Sequence, residues 1–168
     1  MTRRFKPPIY AKTHRGTTTW VLNIGDDERE VVAHMLGELR VLLTESDTDA
    51  DTASPVLQRL FPTTYPDDAE KEAEYQRLMR EDLVTSRLVQ IDTVTAALDD
   101  DAPLEESEVV ALMQSVNAIR LVLGTLLDVG EDDEVETAGT DGDELEAERH
   151  LYAFLSWLLD WIVRSLQS

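Results

Sequence analysis

Apolar positions along the 168-residue chain follow two different periods. Ile9-Tyr10-Ala11-Lys12-Thr13 and Thr17 to Ile24 are rich in β-branched and aromatic residues, and they flank His14-Arg15-Gly16, where glycine permits positive φ. That pattern predicts a small β-hairpin. From Gly25 the period becomes helical. Gly25-Asp26-Asp27-Glu28 supplies an N-cap and acids suited to a helix N-terminus, and Val31, Val32, Met35, Leu36, Leu39, Leu42 and Leu43 extend the helix to about Thr44. A polar connector, Glu45 to Thr52, separates it from a short helix that Ser54-Pro55 opens and Pro62 ends. Tyr65-Pro66-Asp67-Asp68 then leads into a helix from Ala69 to Leu98, with a bend or break expected at Leu83 to Arg87, where the apolar phase weakens.

Asp99-Asp100-Asp101-Ala102-Pro103 closes that helix; a fourth spans about Glu105 to Leu127, and the last about Glu144 to Leu166. Between these two, the glycine- and acid-rich stretch at about 130–143 reads as a mobile loop. The predicted fold is mainly α: a helical bundle of four to five main helices with a short N-terminal β-hairpin. One domain, 1–168, is expected, with a basic hairpin over 1–25 and an acidic helical body over 26–168.

Within the fourth helix, Leu112, Val116, Ile119, Leu123 and Leu126 make a central apolar face, with Ala111, Ala118 and Val122 to one side and Val110 and Leu121 behind. A helix apolar nearly all round is buried among neighbours. Asn117, Arg120 and Gly124 share one flank of this rod, and Gly124 lets another segment approach closely. A buried arginine needs a carboxylate, and Glu81 and Asp82, near the expected bend, are the candidate partners. Two readings of Arg120 stand side by side: an internal strut that fixes the register of two helices, or an anion or ligand site. The strut is favoured because no second basic residue joins Arg120 on its own helix. It predicts that Arg120→Met leaves a foldable protein while Arg120→Ala destabilises strongly.

The last helix carries more apolar surface than one core face needs. Leu151, Tyr152, Phe154, Leu155, Trp157, Leu158, Leu159, Trp161, Ile162, Val163 and Leu166 take up about two-thirds of its circumference. Aromatic surplus of this kind suits an interface, so Phe154, Trp157, Leu158, Trp161 and Ile162 form a candidate docking face for another part of the chain, a second copy in a homodimer, or a different protein.

Charge sharpens the choice of partner. Net charge is −20, and five bases (Arg3, Arg4, Lys6, Lys12, Arg15) precede the first acid, Asp26. The remaining ten bases stand against all 35 acids, a balance of −25 over the body. Such a body repels nucleic acid and attracts basic protein surfaces, so direct DNA binding is not expected, and the basic N-terminus is expected to fold back on it. No cysteine is present, which excludes disulfides, thiol catalysis and thiolate metal sites in this chain. The N-terminus does not read as a signal peptide, and Leu151 to Val163 is too short to span a bilayer, so a cytoplasmic location without membrane contact is expected. Glu30/His34 and Glu146/His150 share helix faces without matching a metal motif, and the acidic runs Glu131 to Glu134 and Asp141 to Glu144 do not match a calcium loop. No cofactor is expected.

Two blocks resemble a known family. Arg59-Leu60-Phe61-Pro62, Tyr65-Pro66-Asp67-Asp68, Glu74-Tyr75-Gln76-Arg77-Leu78 and Glu81-Asp82-Leu83 make the first. Asn117-Ala118-Ile119-Arg120-Leu121-Val122-Leu123-Gly124-Thr125, followed by acids and a Trp-rich terminal helix, makes the second. Together they resemble an actinobacterial domain-of-unknown-function family, often encoded near the Clp protease adaptor, some of whose members are described as actinomycete oxidative-stress regulators (AosR). The resemblance implies a regulator that contacts transcription proteins, including a stress sigma factor. The described regulator senses oxidant through a cysteine pair, which this chain lacks. The function expected is therefore non-enzymatic regulation through protein contacts, with a sigma factor or RNA polymerase component as partner. The alternatives are a small-molecule or metal-dependent enzyme with a site near Arg120, or a proteolysis-associated adaptor.

Overall fold

The computed structural model describes residues 5–45, 55–133 and 141–168. Strands β1 (Ile9–His14) and β2 (Thr17–Leu22) pair antiparallel, with Ile9 opposite Leu22 and His14 opposite Thr17. Arg15 (φ 51°) and Gly16 (φ 82°) both take positive φ, the requirement of a two-residue hairpin turn that follows the strand twist. Helices α1 (Asp26–Glu45), α2 (Pro55–Leu60), α3 (Ala69–Asp99), α4 (Glu106–Asp133) and α5 (Asp141–Leu166) follow. The fold is thus mainly helical with an N-terminal hairpin, as its periodicity predicts.

Local chemistry fixes the helix starts. The Glu28 carboxylate accepts from the Gly25 N–H at 2.6 Å, and Glu108 accepts from the Glu105 N–H at 2.7 Å. Each is the reciprocal half of a capping box, satisfying a donor that the helix itself leaves unpaired. Asp68 caps α3 by accepting from Lys71 N–H.

α4 is the hub: it packs on α1, α2, α3, α5 and β2. Val109, Leu112, Val116, Ala118, Ile119, Leu123 and Leu127 are all buried, so the rod is enclosed by its neighbours. Glu106–Asp128 is the segment of the described residues long and apolar enough to cross a membrane, a role the sequence reading considered only for Leu151 to Val163. Its enclosure by other helices gives that apolarity a structural cause. Leu126, expected on the central face, is instead 49% exposed, because it lies beyond the arc that the neighbours cover.

The hairpin folds back on the body. Ile9, Trp20 and Leu22 enter the core, and β1 packs on α5. Trp20 exchanges two backbone hydrogen bonds with Leu104 (2.9 and 2.7 Å), and its indole N–H donates to the Ser165 carbonyl at 3.0 Å. The Phe5 ring lies 5.8 Å from that of Trp161. Arg3 and Arg4 lie outside the described residues.

Two boundaries differ from expectation. α3 is a single unbroken helix across Leu83 to Arg87. The apolar phase weakens there because the first half of α3 has no fully buried residue, whereas Ile91, Val94 and Leu98 of the second half are in the core. Leu78 and Met79, at apolar positions of this half, are consequently exposed. The stretch at 130–143 is helical at both ends, to Asp133 in α4 and from Asp141 in α5; the rest of the expected loop, 134–140, lies outside the described residues. Acids do not prevent helix formation when they are solvated.

Arg29, not singled out by the sequence, ties three elements together. Its guanidinium donates to the carbonyls of Leu98 (2.9 Å), Asp100 (3.3 Å) and Leu22 (3.1 Å), and lies 3.2 Å from Asp101. It thereby satisfies orphan carbonyls at the C-terminus of α3 and the end of β2. Arg40 of α1 pairs with Asp92 of α3.

The linker between α2 and α3 is clamped by Glu72. Its carboxylate accepts from Gln76 (2.8 Å), from the Tyr65 N–H (2.7 Å) and from the Thr64 N–H (3.0 Å), and these bonds, the Gln76 one foremost, hold its pKa below the ordinary 4.5. Hydrogen bonds to the charged form favour it, so the clamp stabilises fully above pH 4.5 and is lost as pH falls through the lowered value. In urea unfolding from neutral to acid pH, the wild type is expected to lose more stability below that point than Glu72→Gln does; parallel pH profiles contradict the clamp.

Candidate functional site

Arg120 leaves the helical flank and enters a cleft between helices. The cleft, of about 260 Å³, is lined by Arg59 of α2, by Arg120, Leu121, Gly124, Thr125, Leu127 and Asp128 of α4, and by Arg149 and Tyr152 of α5. Three arginines therefore reach one cavity from three helices, a convergence invisible to a reading confined to the face of α4.

The expected carboxylate partners of Arg120 are not there. Among the described residues its Nη1 donates to the Tyr152 hydroxyl at 3.4 Å and its Nη2 to the Asn117 side-chain oxygen at 3.2 Å. The guanidinium also lies over the Tyr152 ring, 5.8 Å from its centroid. Nε is buried and has no hydrogen-bond partner among the described residues. Glu81 and Asp82 are exposed on α3; Glu81 lines a different cavity, of about 990 Å³, with Leu43, Tyr65 and Val84. Arg120 is only partly buried, so water screens part of its charge and a buried carboxylate is not needed. Of the four residues expected in one polar network, the structure unites Asn117 and Arg120, and adds Tyr152.

At Gly124 a side chain of α5 lies against the α4 backbone. A Cβ placed there would lie 3.2 Å from Tyr152 Cε2, so the glycine seats the ring against α4. The Thr125 hydroxyl donates to the Leu121 carbonyl at 2.9 Å. A second cavity of about 500 Å³ adjoins the cleft and shares Arg59, Thr125 and Asp128 with it.

The candidate docking face on α5 divides in two. Leu158 and Ile162 are completely buried beside Leu155 and belong to the core, not to an interface. Phe154 and Trp161 are half-buried, and Trp157 remains 41% exposed. The Phe154 and Trp157 rings lie 6.1 Å apart, while Arg164 sits over Trp161 and pairs with Asp160 at 2.9 Å. The apolar surplus is thus partly absorbed by Phe5 and the monomer core, leaving an aromatic pair at the surface.

The family-like block around Arg59 is built into the fold. Tyr65 meets Tyr75 edge-on at 5.7 Å and lies under Lys71, and Arg80 sits over Phe61. His34 and His150 are exposed, and among the described residues no three His, Asp or Glu side chains are grouped to hold a metal ion.

Replacing a helical glycine with alanine normally stabilises by about 1 kcal/mol. Gly37 of α1, with nothing within 4 Å of its Cβ position, is expected to show that gain in urea unfolding. Gly124→Ala is expected to show less than half of it, because the Tyr152 ring must move. Equal gains at both positions contradict the seating of Tyr152.

The family model for the domain of unknown function DUF2017 matches residues 2–166. No curated protein and no solved structure matches the chain. With the match extending over nearly its whole length, the chain belongs to the DUF2017 family.

Proposed function

We propose that the protein is a non-enzymatic regulator that works by docking a protein with a basic surface, with a transcription component such as a stress sigma factor as the partner. The observation that carries this reading is the surface pair Phe154–Trp157, with Trp157 41% exposed, on a chain of net charge −20. An exposed tryptophan on a strongly acidic chain is a combination that a basic protein surface recognises: the aromatic supplies affinity and the overall charge supplies steering. The resemblance of both sequence blocks to a family some of whose members are described as oxidative-stress regulators supports a transcription partner and a cytoplasmic setting. Without any cysteine, the trigger in this chain is not a thiol switch.

The test is capture by the tagged full chain from the cells that express it, with partners identified by mass spectrometry. A sigma factor or polymerase subunit is expected at about 0.1 M salt and is expected to be lost near 1 M, where the screening length falls from ~10 to ~3 Å. Trp157→Ser should weaken that capture roughly 30-fold, the cost of a hot-spot side chain of about 2 kcal/mol. Recovery of no transcription protein at low salt, or equal capture by Trp157→Ser, overturns the reading; self-association alone on sedimentation replaces it with a homodimer.

A further inference from the structure

We propose that the cleft at the α2–α4–α5 junction binds the phosphate group of a small phosphate monoester, with Arg120 and Arg59 as its principal ligands. The inference goes beyond the docking reading and does not depend on it.

Local charge at the cleft favours an anion. The chain carries 35 acids against 15 lysines and arginines, yet among the described residues three of those arginines and one acid, Asp128, line one cleft of about 260 Å³. Arg59 of α2 and Arg120 of α4 are like charges from separate elements, and helix packing that holds them at one cleft sets up a place where an anion relieves their repulsion. Arg149 keeps an interaction of its own, so the argument rests on Arg120 and Arg59.

Unmet hydrogen-bonding demand favours one too. A guanidinium offers five N–H donors in a planar fork. Among the described residues Arg120 uses two of them, over 3.2 and 3.4 Å and toward neutral oxygens, while its Nε–H finds no acceptor. Neutral partners leave the positive charge uncompensated. A phosphate oxygen gives a shorter, charge-assisted bond, and arginine is the side chain whose geometry suits two such bonds at once. The Tyr152 hydroxyl accepts from Arg120 and so retains its own proton for a second phosphate oxygen. Stacking of the guanidinium on the Tyr152 ring, itself seated by Gly124, pre-orients this pair before a ligand arrives.

Size and setting select the ligand class. The adjoining cavity of about 500 Å³ shares Arg59 with the cleft and is lined further by Gln58, Pro62 and Thr63, which gives room for the organic body of a monoester. A nucleic acid is disfavoured, since its flanking phosphates would run over a surface of net charge −20. A small anion meets only the cleft, because the field of the body is screened over ~8 Å at physiological ionic strength.

Titration calorimetry of the full chain at constant ionic strength, with inorganic phosphate and AMP as probes, tests this. Both are expected to bind saturably, AMP at or below roughly 1 mM and more tightly than phosphate. Arg59→Gln and Arg120→Gln should each weaken AMP binding by roughly tenfold or more, the effect of losing one charge-assisted bond. Arg120→Lys, which keeps the charge without the fork, should not restore it. Lys12→Gln on the hairpin removes the same charge away from the cleft and should change nothing. Arg59 is exposed, so its variant decides the matter even where an Arg120 variant fails to fold. Absence of saturable binding, or equal weakening by Lys12→Gln and Arg59→Gln, overturns the site, and equal affinity for AMP and phosphate overturns the monoester assignment. Failure here leaves capture through Trp157 untouched, and the converse also holds.

Discussion

A helix that is apolar around nearly its whole circumference has to be wrapped, and the rest of this structure is arranged to wrap α4. Helices α1, α2, α3 and α5 and strand β2 all pack on it. Its buried residues extend from Val109 to Leu127, and burial of each aliphatic side chain contributes about 1.5–3 kcal/mol. The hairpin contributes to the same enclosure through Trp20, which bridges Leu104 just before α4 and the last turn of α5. Where the wrapping is incomplete, at the junction with α2 and α5, a cleft opens, and it is there that α4 carries its arginine.

Two arginines show how differently one side chain can be used. Arg29 is only 12% exposed, and its guanidinium is directed at main-chain carbonyls of β2 and α3, so its charge is consumed in holding elements together. Arg120 stands in a partly open cleft with two long bonds to neutral groups and a buried Nε–H left over. Arg29 is thus the more tightly bound strut, while among the described residues Arg120 joins α4 to α5 through Tyr152 alone. The cleft at Arg120 is where the proposed phosphate ligand would bind.

Most of the architecture is legible in the sequence because it rests on local signals: the Arg15-Gly16 turn, the acids after Gly25, the proline at the start of α2, and helical periodicity in α1, α4 and α5. The failures share one cause, contacts between distant parts of the chain. Nothing local says that Arg59 and Arg149 approach Arg120, that Glu81 points elsewhere, or that Leu158 and Ile162 are enclosed while Trp157 is not. Arg29 was hidden because its partners are backbone carbonyls, which leave no trace in residue identity. A faint signal did exist for the cleft: Gly124 within an otherwise well-formed helix marks a close approach, and Tyr152 makes it.

The central claim is that Arg29 is the paired, structural arginine and Arg120 the open one. Side-by-side urea unfolding of Arg29→Ala and Arg120→Ala at neutral pH tests it most directly. Removing Arg29 leaves buried carbonyls without donors and should cost about 2–4 kcal/mol, whereas Arg120→Ala should stay within about 1 kcal/mol of the wild type. A loss at Arg120 equal to or greater than that at Arg29 would return Arg120 to the role of internal strut and contradict the account.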